Sequence, residues 1–307
     1  MKIKIGTRGS KLALWQAEHI KSSLEENGNI KAELVIIETK GDKILDKSLS
    51  KIGSKGVFTE ELETALRKGE IDIAVHSAKD VMAILPNDLP LIAFGKREKA
   101  CDVLVSYNKD ILIDDEITIG TSSTRRVAIL KSNYPKAKIV DMRGNLQTRF
   151  QKMKDGSCDA MILAYAGVNR MKLNKYIVQE LDMKQFVPPV GQGSVAIQIC
   201  IDKIDIGMLE TIQNQLNHEE TAFCIEAERA YLAVLEGGCS IPSYGHATHK
   251  GMSMTMTAGI VSLDGNKKVE KTIKGDLLQS EEIGEQLAEW VLKNGGKEIL
   301  KSIKEKK

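Results

Sequence analysis

Cysteine is scarce and scattered. The five residues Cys101, Cys158, Cys200, Cys224 and Cys239 form no CxxC pair. An odd, unclustered set argues against a disulfide framework or a zinc site and for a reducing compartment. No stretch approaches the roughly 18 consecutive apolar residues of a membrane span. The opening MKIKIGTRGS has neither an apolar core nor a small-residue cleavage site, so no membrane partner and a cytoplasmic location are expected. Aromatic residues make up only 4% and the formal net charge is only +2. A nucleic-acid binder would show a basic surplus interleaved with stacking aromatics, so nucleic acid is not an expected partner. GxGxxG, Walker A and GxSxG motifs are all missing, which disfavours NAD, ATP and Ser-His-Asp chemistry. His246 and His249 form an HxxH without acidic or cysteine companions, and no metal site is expected.

Arginine is also sparse. The 44 basic residues divide into 35 Lys and 9 Arg, and none of the arginines lies beyond Arg229. Six of them, Arg8, Arg125, Arg126, Arg143, Arg149 and Arg170, fall in or beside Gly-, Ser- or Asn-containing segments. The planar guanidinium fork suits carboxylate or phosphate, which a lysine point charge does not grip in the same way. A single such Arg is best read as a solvated surface residue. Six at the turns of an α/β pattern point to an anion site.

What is present is an ordinary globular composition, 42% hydrophobic and 28% charged over 307 residues, enough for two or three domains. Strand and helix alternate from the start. Residues 2–5 read as a strand, 12–24 as an amphipathic helix, 33–38 as a β-rich run, 59–68 as a helix and 71–76 as a compact apolar strand of the kind buried on both faces in a parallel sheet. The pattern restarts with strands at 117–120, 138–141 and 160–164 and helices at 123–131 and 146–154. No internal repeat stands out. A further strand at 195–201 follows a Pro188–Pro189 and Gly191–Gly193 crossing. After a helix at 219–235, stopped by Gly237–Gly238, the texture changes. Residues 253–261 and 267–274 alternate around Asp264–Gly265, a hairpin signal, and 281–292 is helical.

The expected fold is therefore α/β: two doubly wound domains plus a smaller α+β C-terminal domain. The division is placed at 1–96 with 194–216, 97–193, and 217–307. Ligands of open α/β sheets sit beyond the carboxyl ends of the strands. GTSSTRR (120–126) ends a strand with three hydroxyl residues and two Arg at a helix start, a place that favours an anion; the hydroxyls serve equally as an N-cap. At the end of 71–80, Lys79 and Asp80 reach the sheet mouth. A carboxylate in an Arg-lined place can stabilise a cation formed in a reaction, or can simply pair with a neighbouring base. Residues 40–56 hold five Lys and three Gly, either a lid or a solvated basic loop. Cys239 follows a glycine helix stop on LEGGCS (235–240) and is expected on an accessible loop, the other four cysteines in cores.

Together these segments resemble the hydroxymethylbilane synthase (porphobilinogen deaminase) family. The likeness runs through TRGSKLALWQA (7–17), IGSKGVF (52–58), IDIAVHSAKD (71–80), GTSSTRR, MRGNLQTR (142–149), ILAYAG (162–167), PPVGQGSVAI (188–197) and LEGGCS. Eight segments in one family's order make coincidence improbable; the last sixty residues match in texture alone. The resemblance implies a transferase that joins four porphobilinogen molecules head to tail, releasing ammonia each time, on a dipyrromethane cofactor held by a thioether. It also implies two periplasmic-binding-protein-like domains before the C-terminal one, and a monomer.

The position matching the attachment cysteine is Cys239, and Asp80 matches the catalytic carboxylate. Arg8, Ser10, Ser77, Lys79, Thr121, Ser123, Arg125, Arg126, Arg143, Gly144, Arg149, Ala164 and Arg170 match positions that bind cofactor and substrate. Lys51, Lys55 and Phe58 match the active-site loop, and Gln192 a hinge. Lys11 and Met82 stand where Pro is frequent and Thr124 where Leu is usual; none of these removes a proposed catalytic group. The competing expectation is a non-catalytic two-lobed solute-binding protein for a small carboxylate or phosphate. An effector-binding regulatory module is a second, without a helix-turn-helix to support it.

Overall fold

A computed structural model describes residues 1–26, 28–43, 58–236 and 241–305. Lys2 and Lys4 of strand β1 (Lys2–Thr7) are exposed, Ile3 and Ile5 are buried, and the strand then runs fully inside over Gly6 and Thr7. Ser10 caps helix α1 (Lys11–Glu25), its side chain accepting from the Ala13 N–H, so a Lys at the first helical position is tolerated without the usual Pro. The chain continues through β2 (Lys31–Ile36), a single turn α2 (Lys40–Lys43), α3 (Glu60–Lys68), β3 (Ile73–Ser77) and β4 (Leu91–Phe94). Then come β5 (Asp102–Val105), β6 (Thr118–Gly120), α4 (Thr124–Asn133), β7 (Lys138–Val140), α5 (Leu146–Lys154), β8 (Ala160–Ala164), α6 (Tyr165–Arg170) and β9 (Ile177–Glu180). The remainder is β10 (Val195–Gln198), α7 (Ile206–Leu216), α8 (Glu219–Val234), β11 (Ser243–Lys250), β12 (Ser253–Val261), β13 (Lys268–Asp276), α9 (Ser280–Val291) and α10 (Lys297–Glu305). Among the described residues no helix is long and apolar enough to cross a membrane.

The chain forms two compact units. Of the described residues, one comprises those up to 43 with 58–98 and 193–222, the other 99–192 with 223–305. The first unit holds a five-stranded sheet of order β2-β1-β3-β10-β4. Strands β2, β1 and β3 run parallel, and β10 is antiparallel to both β3 and β4. The second unit holds a sheet of order β7-β6-β8-β5-β9 with the same pattern, three parallel strands followed by an antiparallel one.

The sheets are mixed, because β5 and β10, the first strands after the chain passes from one unit to the other, are each inserted antiparallel. The two sheets also repeat one topology, with Gly-Thr at the carboxyl end of β1 (Gly6, Thr7) and of the equivalent β6 (Gly120, Thr121). Both glycines are closely covered. A Cβ on Gly6 would meet Ile71 Cδ1 at 2.2 Å, and one on Gly120 would meet Cys158 Sγ at 2.9 Å.

The C-terminal part of the second unit is an antiparallel meander β11-β12-β13 backed by α8, α9 and α10. Its core is its own, built around Tyr231, Met254, Met256, Ile260, Leu287 and Val291. Tyr244 and Val261 turn instead into the core of Ile129, Ile162 and Phe186 beside the second five-stranded sheet. This shared packing makes the three-stranded part continuous with residues 99–192.

Candidate functional site

In the first unit the candidate residues gather at the carboxyl ends of the neighbouring strands β1 and β3. Arg8 and Ser10 follow β1. Its guanidinium carbon lies 4.2 Å from the centroid of the Phe58 ring, a cation–π contact. Strand β3 delivers Ser77, and one 3-10 turn, Ala78–Asp80, carries Lys79 half-buried and Asp80 exposed. The turn is held from behind: Ala78 N–H donates to Ser194 O at 3.0 Å, and Ser77 Oγ exchanges hydrogen bonds with the buried Gln16 amide of α1. An exposed carboxylate on a turn with a fixed base is what a reacting group needs, since its orientation comes from the scaffold and its access from the solvent.

In the second unit three loops converge at the ends of the adjacent strands β7, β6 and β8. After β6, Thr121 Oγ1 accepts from Ser123 N–H, and Ser123 caps α4 by accepting from Arg126 N–H. The neighbouring Ser122 Oγ accepts from Met142 N–H at 3.1 Å and ties the β6 loop to the β7 loop. There Arg143 is half-buried, Gly144 has φ 116°, and Asn145 caps α5. Arg149 Nε donates to Gly144 O at 2.7 Å, which fixes the guanidinium against that loop. Beyond β8, Ala164 leads into α6 and Arg170 closes it.

Arg125 and Arg126 depart from expectation. The sequence reading gives them as two forks open to an outside carboxylate, but both are buried, and both Nη2 groups bind one internal carboxylate, Asp102 of β5. The Nη1 groups donate to main chain, Arg125 to Val187 O and Arg126 to Ile162 O. Burial alone would raise the Asp102 carboxyl, but the two guanidiniums outweigh it and hold the group well below the carboxylate range. Gln192 completes the cluster, its Nε2 donating to Ala100 O at 2.6 Å and to Asp102 Oδ1 at 3.0 Å. Sequence reasoning missed Asp102; the available signal was an acid embedded in the apolar run CDVLV.

Cys101, Cys158, Cys200 and Cys224 are buried in cores, as the sequence reading expected. Burial pushes Cys101 and Cys158 up to about 11, which leaves them unreactive at neutral pH. Lys51, Lys55 and Cys239 lie outside the described residues.

Comparison with known proteins now decides the family. Residues 3–207 match the family model for the porphobilinogen deaminase dipyromethane cofactor binding domain, and residues 222–293 that for the porphobilinogen deaminase C-terminal domain. The chain belongs to the porphobilinogen deaminase family. It is 51% identical to porphobilinogen deaminase of Cytophaga hutchinsonii, over 98% of this chain and 97% of that one. It is 47% identical to the Desulfosudis oleivorans porphobilinogen deaminase, over 99% and 98%. The solved VFT2 domain of Bordetella pertussis BvgS shares 17% identity with a TM-score of 0.45, over 72% of this chain and 90% of that one, too loose to decide anything.

The donor set fits the cofactor that the family domain is named for. Two guanidiniums share one carboxylate in a buried cluster, so a positive charge remains. Both Nε atoms of that pair are buried without a hydrogen-bond partner among the described residues. A group carrying several carboxylates supplies both the charge and the acceptors such a cluster wants.

Proposed function

We propose that this chain polymerises four porphobilinogen molecules head to tail into the linear tetrapyrrole hydroxymethylbilane, releasing one ammonia per addition and consuming one water when the bond between product and primer breaks, in tetrapyrrole (haem) biosynthesis. The single observation that carries this reading is the match to both family domains along nearly the whole chain. Arg8, Ser10, Ser77 and Lys79 bind cofactor and substrate from the ends of β1 and β3. Thr121, Ser123, Arg143, Gly144, Arg149, Ala164 and Arg170 bind cofactor and substrate carboxylates from the ends of β6, β7 and β8, with Arg125 and Arg126 beneath them.

Cys239 would hold the dipyrromethane by a thioether, and the group so held would supply the pyrrole carbon at which the chain is extended. Asp80 Oδ accepts the pyrrole N–H of the substrate and balances the positive charge that grows as its amino group leaves. The same carboxylate takes the proton released when the new carbon–carbon bond forms. Phe58 packs on the Arg8 guanidinium and keeps water from that side, and Lys51 and Lys55 act with it on the substrate. Gln192 stands at a hinge between the domains 1–96 with 194–216, and 97–193, with 217–307 as a third domain. The enzyme works as a monomer in the cytoplasm, where its buried cysteines stay reduced.

The test is incubation of the purified protein with porphobilinogen. Ammonia and hydroxymethylbilane in a four-to-four-to-one stoichiometry of substrate, ammonia and product are expected. Binding of porphobilinogen without ammonia release would favour the solute-binding reading.

A further inference from the structure

Arg125, Arg126 and Gln192 all reach the carboxylate of Asp102, which is completely buried. Its oxygens are divided: Arg125 takes Oδ2, while Arg126 and Gln192 share Oδ1. Each guanidinium is fixed at two ends, by Asp102 and by a main-chain carbonyl. Arg125 also lies over the Phe186 ring, 5.6 Å from its centroid. Two like charges so close repel, and the carboxylate between them offsets that repulsion and sets the net charge of the cluster at one instead of two. Gln192 is the last residue of the second unit before the chain passes to the first. One carboxylate thus fixes both the geometry of the arginine pair and the end of the crossing segment.

We propose that Asp102 is a positioning residue for tetrapyrrole assembly: it locks Arg125 and Arg126 at a net charge of one and ties them through Gln192 to the crossing segment. The inference rests on the function given above. Its consequence separates binding from turnover. A cluster at one net positive charge grips carboxylates firmly enough to orient them and loosely enough to let a growing chain move on. Removing the carboxylate strengthens the grip and loosens the geometry.

The experiment compares wild type, Asp102→Asn and Asp102→Glu in steady-state turnover of porphobilinogen at two salt concentrations. Intact mass and circular dichroism establish equal folding and cofactor loading. For Asp102→Asn, kcat falls about a hundredfold, the size of effect that a ~1 Å misplacement produces. KM falls severalfold, and its salt dependence steepens. Asp102→Glu, which restores the charge but not the reach, returns KM to the wild-type value with kcat about tenfold low. A merely structural role would lower the active fraction and leave KM and its salt dependence unmoved. That result, or wild-type kcat in Asp102→Asn, overturns the proposal. Should Asp102→Asn fail to fold, Asp102→Glu decides: reduced kcat at wild-type KM supports it, and wild-type kcat overturns it. A wild type that releases no ammonia from porphobilinogen would sink the functional reading instead.

Discussion

His76 is the residue directly beneath the proposed catalytic turn, and its chemistry is that of a support. It is buried beside Gln198, 3.0 Å from its Oε1. Gln198 spends its Nε2 on Leu89 O, so its oxygen faces the ring and His76 Nε2 carries the proton. Burial, aided by the Arg8 charge and opposed by the Gln198 hydrogen bond, lowers His76 to about 4 from 6.5. The folded state thus holds it neutral while the unfolded chain takes up a proton as pH falls from about 6.5 to about 4. Stability should drop across that window by about 3 kcal/mol and change little from this group outside it. Urea unfolding of wild type and His76→Gln between pH 4 and 7 checks this; an equally steep loss in the variant would assign the effect to other groups. Asp80 belongs to the same turn but faces solvent. Asp80→Asn should leave the unfolding midpoint and cofactor mass unchanged and reduce kcat by about 10²-fold or more. Near-normal turnover in a fully loaded Asp80→Asn protein removes the carboxylate from the chemistry.

Elements with strong local signals were legible. The periodicity at 146–154 and the apolar run at 160–164 coincide with α5 and β8, and the Asp264–Gly265 turn joins β12 to β13. The short strands β4, β5 and β9 were not, because four residues without alternation read equally as loop or helix core. Helix–helix approach is another feature no local pattern shows. Gly284 of α9 lies so close to α8 that a Cβ there would meet Ala227 O at 2.1 Å and Tyr231 N at 2.9 Å. In an isolated helix Gly→Ala stabilises by about 1 kcal/mol. Here the contact is with backbone, which cannot rotate aside, so Gly284→Ala should destabilise by about 2 kcal/mol. A higher urea midpoint in that variant would contradict the close approach.

At the scale of the whole molecule, the loops at the strand ends were readable because each carries Gly, hydroxyl or charged residues of its own in sequence. The role of Arg125 and Arg126 was not, because their partner Asp102 is 23 and 24 residues away and only the insertion of β5 beside β8 brings it under α4. The topology therefore turns two expected surface forks into a buried cluster and leaves Arg143, Arg149 and Arg170 on the loops above the same sheet end. The repeated order β2-β1-β3-β10-β4 and β7-β6-β8-β5-β9 equally needed the pairing of strands far apart in sequence.

The central claim, assembly of a tetrapyrrole on a covalent primer, is tested most directly by intact mass. Native protein and Cys239→Ser should be weighed before and after brief exposure to porphobilinogen. Extra mass of two pyrrole units on the native protein only, growing by single pyrrole units on exposure to substrate, is the predicted result. A bare polypeptide mass that persists after exposure to porphobilinogen would contradict it.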